Sequence, residues 1–424
     1  MVRESGDVRR YRKSEPSDGD GFLPGFDLAR ERHWGGAIES HPEGAPKCGP
    51  EGIVMLCDWL PPDFGAVGQY AVGFARELAE AGHNVTLIGF SSVQESCFEE
   101  AVGLGRLRIR RLYRQAYDRS NLMLRAWWTL GANLALLWGA RRELRGCNEI
   151  RFTGSPPYLL HFVMPLAQLL GVRTRYRITD FHPECLIAAV GREGLWLKAL
   201  GALTRFWRRK VDVVEVLGED QGRRLAASGI DPARIVLLRD PSPVMIDKET
   251  LSERPPEAAA GRKIILYSGN WGVAHDHETF VEGYRRFCLQ HAGAAWLWLN
   301  ATGKRADTVA EALRALALPF GRTNPVSLER LAGVLCAADL HLITLEDAFV
   351  GYVMPSKVYA CIASGRPILF IGSSESDVHL LCSRELGEDR YRRVDPGDTR
   401  GVSDALTCLL GVGLPRSERN GSAA

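Results

Sequence analysis

The chain has 424 residues, a formal net charge of +2, 46% hydrophobic residues and 25% charged residues. This is the balance of a globular protein with room for two domains, and it offers no basic surplus for nucleic acid. Its ten cysteines form no Cys-x-x-Cys pair, so reduced thiols are expected and a zinc site is not.

Residues 1–48 stand apart. Met1 to Lys13 is dense in charges of both signs, and Ser14 to Gly25 is rich in Ser, Pro, Gly and Asp. The segment lacks the apolar core of a signal peptide. It reads as a disordered extension or as an upstream misassigned start. An N-terminal Rossmann-like domain is expected over 49–242. Ile53 to Cys57 reads as a strand, Tyr70 to Ala81 as a helix facing inward through Phe74 and Leu78, and Val85 to Phe90 as the next strand. Strand–helix–strand at this spacing implies a parallel pair with a right-handed crossover. Further strands are expected at Ile150 to Thr153, Arg175 to Thr179, Val211 to Leu217 and Ile235 to Leu238. A helix from Glu219 to Ser228 precedes the last.

Leu122 to Ala140 is apolar, carries three tryptophans and is flanked by arginines from Arg106 to Arg114 and from Arg141 to Arg145. Arg125, Asn133 and two glycines argue against a span, and no stretch of the chain reaches the uninterrupted apolar length a span requires. Two readings stay open: an amphipathic helix on anionic lipid, or a helix packed on the sheet.

A proline-rich run from Pro241 to Arg262 marks a linker at 243–262. A second Rossmann-like domain is expected over 263–412, followed by a tail at 413–424. Its strands are Ile264 to Ser268, Trp296 to Asn300, Leu340 to Thr344 and Ile368 to Ile371. Its helices are His277 to Gln290, Ala306 to Ala317 and Leu328 to Ala337. The whole is α/β, two Rossmann-like domains facing across a cleft.

Four motifs lie where such sheets place ligands, at the carboxyl ends of strands. In Gly351-Tyr-Val-Met-Pro-Ser-Lys-Val-Tyr-Ala-Cys-Ile-Ala-Ser-Gly-Arg-Pro-Ile, Pro355 suits a first helical turn, Ser356 a cap, and Lys357 adds a cation there. Pro61-Pro-Asp-Phe-Gly-Ala-Val-Gly68 supplies Gly65 and Gly68 for close backbone approach to a ligand. Thr179-Asp-Phe-His-Pro-Glu184 gathers Asp180, His182 and Glu184 as candidate catalytic groups. Tyr267-Ser-Gly-Asn-Trp-Gly-Val-Ala-His-Asp-His277 supplies Gly269, Asn270 and His275. His275 and His277 lack a third well-spaced ligand, so no metal is expected.

Pro-Ser-Lys followed by Ala-Ser-Gly-Arg-Pro-Ile resembles the nucleotide-sugar site of family-4 glycosyltransferases of the GT-B fold, closest to the branch that builds bacterial surface polysaccharides such as colanic acid. Asp180 to Glu184 and Gly269 to Asp276 are similar to further motifs of that branch, and the resemblance runs from about Ile53 to Leu410. It implies a retaining, metal-independent transfer of a hexosyl or N-acetylhexosaminyl group from a nucleotide sugar to a lipid-linked or glycan acceptor, without a cofactor. It also implies a cytoplasmic protein, peripheral on the inner face of the plasma membrane and touching anionic lipid. Two departures qualify it. Where many relatives carry Arg and Lys, this chain has Asn270 and His275, which shifts the diphosphate to backbone N–H groups, Lys357 and Lys304. Where many carry paired glutamates, it has Tyr352 and Ala360, with Glu346 and Asp347 just upstream. The alternatives are a non-catalytic subunit of a polysaccharide-assembly complex and a GT-B-fold nucleotide-sugar epimerase.

Overall fold

The computed structural model describes residues 52–63, 66–115, 122–255 and 261–413. The extension at 1–48, Gly65 and nearly all of the 413–424 tail lie outside them.

The first domain runs β1 (Gly52–Trp59), α1 (Ala66–Glu80), β2 (Asn84–Ser91), β3 (Ser96–Val102), β4 (Gly105–Tyr113), α2 (Leu122–Leu144), β5 (Glu149–Thr153), α3 (Leu160–Leu170), β6 (Arg173–Ile178), α4 (Glu184–Val190), α5 (Leu195–Arg208), β7 (Val213–Val216), α6 (Glu219–Ala227) and β8 (Ile235–Leu237). The second runs β9 (Lys263–Asn270), α7 (Glu278–Gln290), β10 (Ala295–Thr302), α8 (Lys304–Ala315), β11 (Phe320–Thr323), α9 (Leu328–Cys336), β12 (Leu340–Thr344), α10 (Lys357–Ala363), β13 (Ile368–Ile371), α11 (Asp377–Glu385), β14 (Tyr391–Val394) and α12 (Thr399–Leu409). The sheets are ordered β3-β4-β2-β1-β5-β6-β7-β8 and β11-β10-β9-β12-β13-β14. All pairings are parallel except β3 with β4, a hairpin whose charge-rich strands gave no clear sequence signal.

Each strand order reverses direction once, between β1 and β5 and between β9 and β12. These switch points open crevices at the carboxyl ends of the strands. Both faces of each sheet are covered. In β1, Val54 and Leu56 point to one core, and Ile53, Met55 and Cys57 point to the core under α1. The linker region is docked on the second domain. Val244 and Ile246 pack with Ile264, Leu266, Trp296 and Trp298, and Glu253 N–H donates to Gly333 O at 2.9 Å. Residues 256–260 of that linker lie outside the described residues.

The tryptophan-rich helix is packed on the sheet. Ala132, Leu136, Ala140 and Leu144 of α2, at four-residue spacing, are buried against the sheet. Its outer face nevertheless exposes Trp127, Leu130, Leu134 and Trp138. The arginines before it are largely engaged. Arg106 pairs with Glu99 at 3.0 Å and Arg110 with Glu143 at 2.6 Å, while Arg111 donates to Pro61 O at 2.6 Å. Among the described residues no helix is long and apolar enough to cross a membrane.

Gly68 is corrected by its position. It is buried where α1 crosses the end of β1, and a Cβ there would lie 1.8 Å from Trp59 O. The glycine is required for helix–strand approach. Gly68→Ala should therefore destabilise the fold by about 1–3 kcal/mol, the usual cost of overpacking. Denaturant unfolding checks this, and an unchanged midpoint would contradict the packing role.

Candidate active site

The site begins with backbone. The loop from Val350 to Met354, between β12 and α10, is stitched to the first domain. Phe181 N–H donates to Tyr352 O at 3.1 Å, and Asp180 pairs with Val353 in an antiparallel bridge. Arg224 Nη2 donates to Val350 O at 3.0 Å, and its guanidinium lies 4.6 Å from the Tyr352 ring centroid. The Asp180 loop and the Pro-Ser-Lys turn, with Asp180 and Pro355 175 residues apart in sequence, thus meet in one cleft.

On the first domain, Asp180 opens to the cleft while protein mass crowds around it. That crowding raises its carboxyl above the ordinary range, and His182 opposes the rise. The His182 ring lies 5.8 Å from the Tyr158 ring. Glu184 is placed differently from a free acid or base. Its two oxygens take Arg208 Nη1 at 2.5 Å and Nη2 at 3.1 Å, and the same Nη2 holds His182 O at 3.0 Å. Arg208 also lies 4.9 Å from the Phe181 ring. The fork engages both oxygens of Glu184 and braces the loop.

On the second domain, Lys357 is the pivot. Its Nζ is withdrawn from water, 3.4 Å from the Tyr267 ring centroid, and no hydrogen-bond acceptor reaches it. Burial pushes its ammonium down to about 7. Gly269 has φ +116°, a backbone conformation that strains any side chain, while a Cβ there would make only ordinary contact with Lys357 Cε at 3.8 Å. Asn270 ends β9 in the open cleft.

His275 is buried. Its Nδ1 lies 2.5 Å from Thr344 O, and a carbonyl only accepts, so Nδ1 carries the proton. Burial first, then the Lys357 and Arg305 charges, push the ring down to about 3. The imidazole is therefore neutral, with Nε2 as an acceptor. Pro355 is buried, and Ser356 makes no side-chain cap to α10.

Lys304 is exposed, and the residue turned inward is Arg305. Arg305 Nη1 reaches His275 O at 2.8 Å, His277 Nδ1 at 3.1 Å and Glu346 Oε1 at 2.7 Å. One residue at a helix start rotates the side chain by about 100°, so a cation was expected in this turn at a position one off. Tyr267 opened the motif that contains Gly269 and was not given a role. Among the described residues no group of three or more His, Cys, Asp or Glu is gathered to hold a metal ion.

Residues 65–240 match the sequence model of the Glycosyl transferase 4-like domain. WbjE of Pseudomonas aeruginosa, named a probable glycosyltransferase, is 25% identical over 251 residues, covering 56% of this chain and 60% of that protein. WcaI of Escherichia coli K12, provisionally named a colanic acid biosynthesis glycosyl transferase, is 22% identical over 228 residues, covering 51% and 55%. The matches thus span less than two thirds of either relative. Sucrose-phosphate synthase of Thermosynechococcus elongatus superposes with a TM-score of 0.60 at 13% identity, over 85% of this chain and 90% of that one. HepE of Anabaena, solved with UDP and glucose, superposes at 0.55 with 10% identity, over 85% and 90%. The architecture is GT-B, and its first domain is similar to the Glycosyl transferase 4-like domain.

An unpaired buried ammonium has a measurable cost in the empty protein. The unfolded chain keeps the lysine proton to about pH 10, so between pH 7 and 10 it binds more protons than the folded state. Stability contributed through Lys357 therefore rises with pH across that window, and below pH 7 the burial cost is complete. Lys357→Met should melt a few degrees above the parent at pH 6–7 and lose this rise. Thermal melts from pH 6 to 10 check it, and superimposable profiles would contradict the assignment.

Proposed function

We propose that the protein transfers a sugar from a nucleotide sugar to a lipid-linked or glycan acceptor in the synthesis of a bacterial surface polysaccharide. The observation that carries this reading is Lys357, a desolvated cation without an acceptor, beside a neutral His275 and four residues after Val353, which bridges to Asp180. A diphosphate would supply the missing acceptor. As the sugar C1–O bond to the diphosphate breaks, charge grows on the leaving oxygen. Lys357 and the backbone N–H groups near Gly269 and Asn270 stand ready to stabilise that charge. The His275 lone pair suits a sugar hydroxyl. The Asp180 carboxylate, made a stronger base by the crowding around it, is suited to take the acceptor hydroxyl proton as the new C1–O bond forms.

The reading includes retention of anomeric configuration, implied by the family, with no protein nucleophile assigned. It includes a cytoplasmic setting, with the exposed outer face of α2 touching anionic lipid. HepE with UDP and glucose supports a nucleotide-linked donor.

Three measurements test the proposal. Donor should be consumed only when acceptor is present, since an epimerase would act without one. Asp180→Asn and His182→Ala should lower turnover by about 10²–10⁴ while donor still raises the melting temperature. Near-normal turnover in both variants would remove them from the reacting centre. Activity should also survive chelation in full, and a loss restored by magnesium, manganese or zinc would overturn the metal-free mechanism.

A further inference from the structure

Helix α5 is inside out. Its buried face carries Leu197, Gly201, Thr204 and Arg208, at spacings of four, three and four residues. Two of these are polar and one is glycine. Thr204 Oγ1 lies 3.1 Å from His161 Nε2, and Arg208 is committed to Glu184 and His182 O. The face turned to water carries Leu195 at 87% exposure, Trp196 at 62%, Leu203 at 46% and Phe206 at 48%. Ala199 and Ala202, both exposed, fill the gaps between them. At about 100° per residue these positions form one continuous stripe roughly 120° wide. A surface helix of a soluble domain puts such a stripe inward.

Charge identifies the partner. Lys198, Arg205 and Arg209 recur at helical spacing along one edge of the stripe, all exposed, and Lys210 follows the helix with its Nζ 5.1 Å from the Phe206 ring. The helix contains no acidic residue. A second copy of this face would therefore meet cations with nothing on the helix to pair them. A surface of anionic headgroups over acyl chains meets both the cations and the stripe, with Trp196 at the boundary.

We propose that the outer face of α5 docks on an anionic phospholipid bilayer and is the principal membrane element of this protein. Arg208 makes the placement consequential. The helix that lies on lipid is pinned by that one residue to the loop carrying Asp180 and His182, so docking fixes the acceptor side of the cleft relative to the bilayer. This inference rests on the membrane contact proposed above for its partner, but not on sugar transfer.

The test is vesicle co-sedimentation of the full chain, without donor or acceptor, on phosphatidylcholine alone and mixed with phosphatidylglycerol. The parent should bind the anionic vesicles preferentially and be released by salt. Trp196→Ser with Phe206→Ser should weaken binding by at least about tenfold. Lys198→Glu with Arg205→Glu should weaken it by roughly tenfold or more at low salt and abolish the preference for anionic lipid. The charge variant alters exposed positions, so it carries the test if the apolar variant fails to fold. Binding of both α5 variants at the parent level overturns the proposal. If Trp127→Ser with Trp138→Ser loses binding instead, α2 is the docking helix, the α5 assignment falls and membrane contact stands. A parent that binds no vesicles removes both membrane readings and leaves transfer untouched. A parent that is dimeric, becomes monomeric in the α5 variants and binds no lipid shows a self-association face and also overturns the proposal.

Discussion

The hydrogen bond from Phe181 N–H to Tyr352 O, with the neighbouring Asp180–Val353 bridge, is the constraint on which the site depends. It closes one ladder step between loops of different domains, and each loop leads to candidate site side chains. Because the contact is backbone to backbone, it sets the position of Asp180 and of the turn before Lys357 without using either side chain. Arg208 then holds the first loop from behind through Glu184, and Arg224 holds the second through Val350 O. The chemistry is left to groups that the scaffold does not consume.

A second tie reinforces the first, and it is made of carboxylates. Asp220, in the first turn of α6, accepts from Gly351 N–H at 3.2 Å and from Asp377 N–H at 3.1 Å. Asp377, in the first turn of α11, accepts from Glu219 N–H at 2.9 Å and pairs with Arg239 at 3.0 Å. Each helix start of one domain is thus capped by an aspartate of the other, where both the free N–H groups and the helix dipole favour negative charge. Burial and the Asp377 charge push Asp220 up to about 6. The domain contact is polar and reciprocal, an arrangement suited to a preferred cleft geometry more than to a large apolar seal.

The family departures have physical explanations in the structure. Tyr352 stands where the resemblance implies a glutamate, and its carbonyl and ring bind the two domains together. Ala360, at the other such position, is buried in the core under β9 and β10. His275 in place of a cation is held neutral by burial and by the Lys357 and Arg305 charges. Positive charge beside His275 is therefore concentrated in Lys357 and Arg305. Arg305 braces His275, His277 and Glu346.

The sequence by itself determined the two-domain α/β class, the strands at Ile53, Val85, Ile264, Leu340 and Ile368, and the Pro-Ser-Lys turn. These are encoded locally, in apolar runs and turn residues whose period is visible without partners. It also marked Asp180, His182 and Lys357, because charged groups at strand ends have few uses in a core. It did not show the β3–β4 hairpin, whose arginines and glutamates neutralise one another only when paired across the strands. Nor did it separate Gly68, which answers to Trp59 O, from Gly269, which answers to a positive φ. Glu184 looked free in the sequence, since Arg208 lies 24 residues away and meets it only through packing of α5. The inverted face of α5 was likewise decided by tertiary structure. A helical pattern tells which residues share a face, but only the packed neighbours tell which face is turned to water.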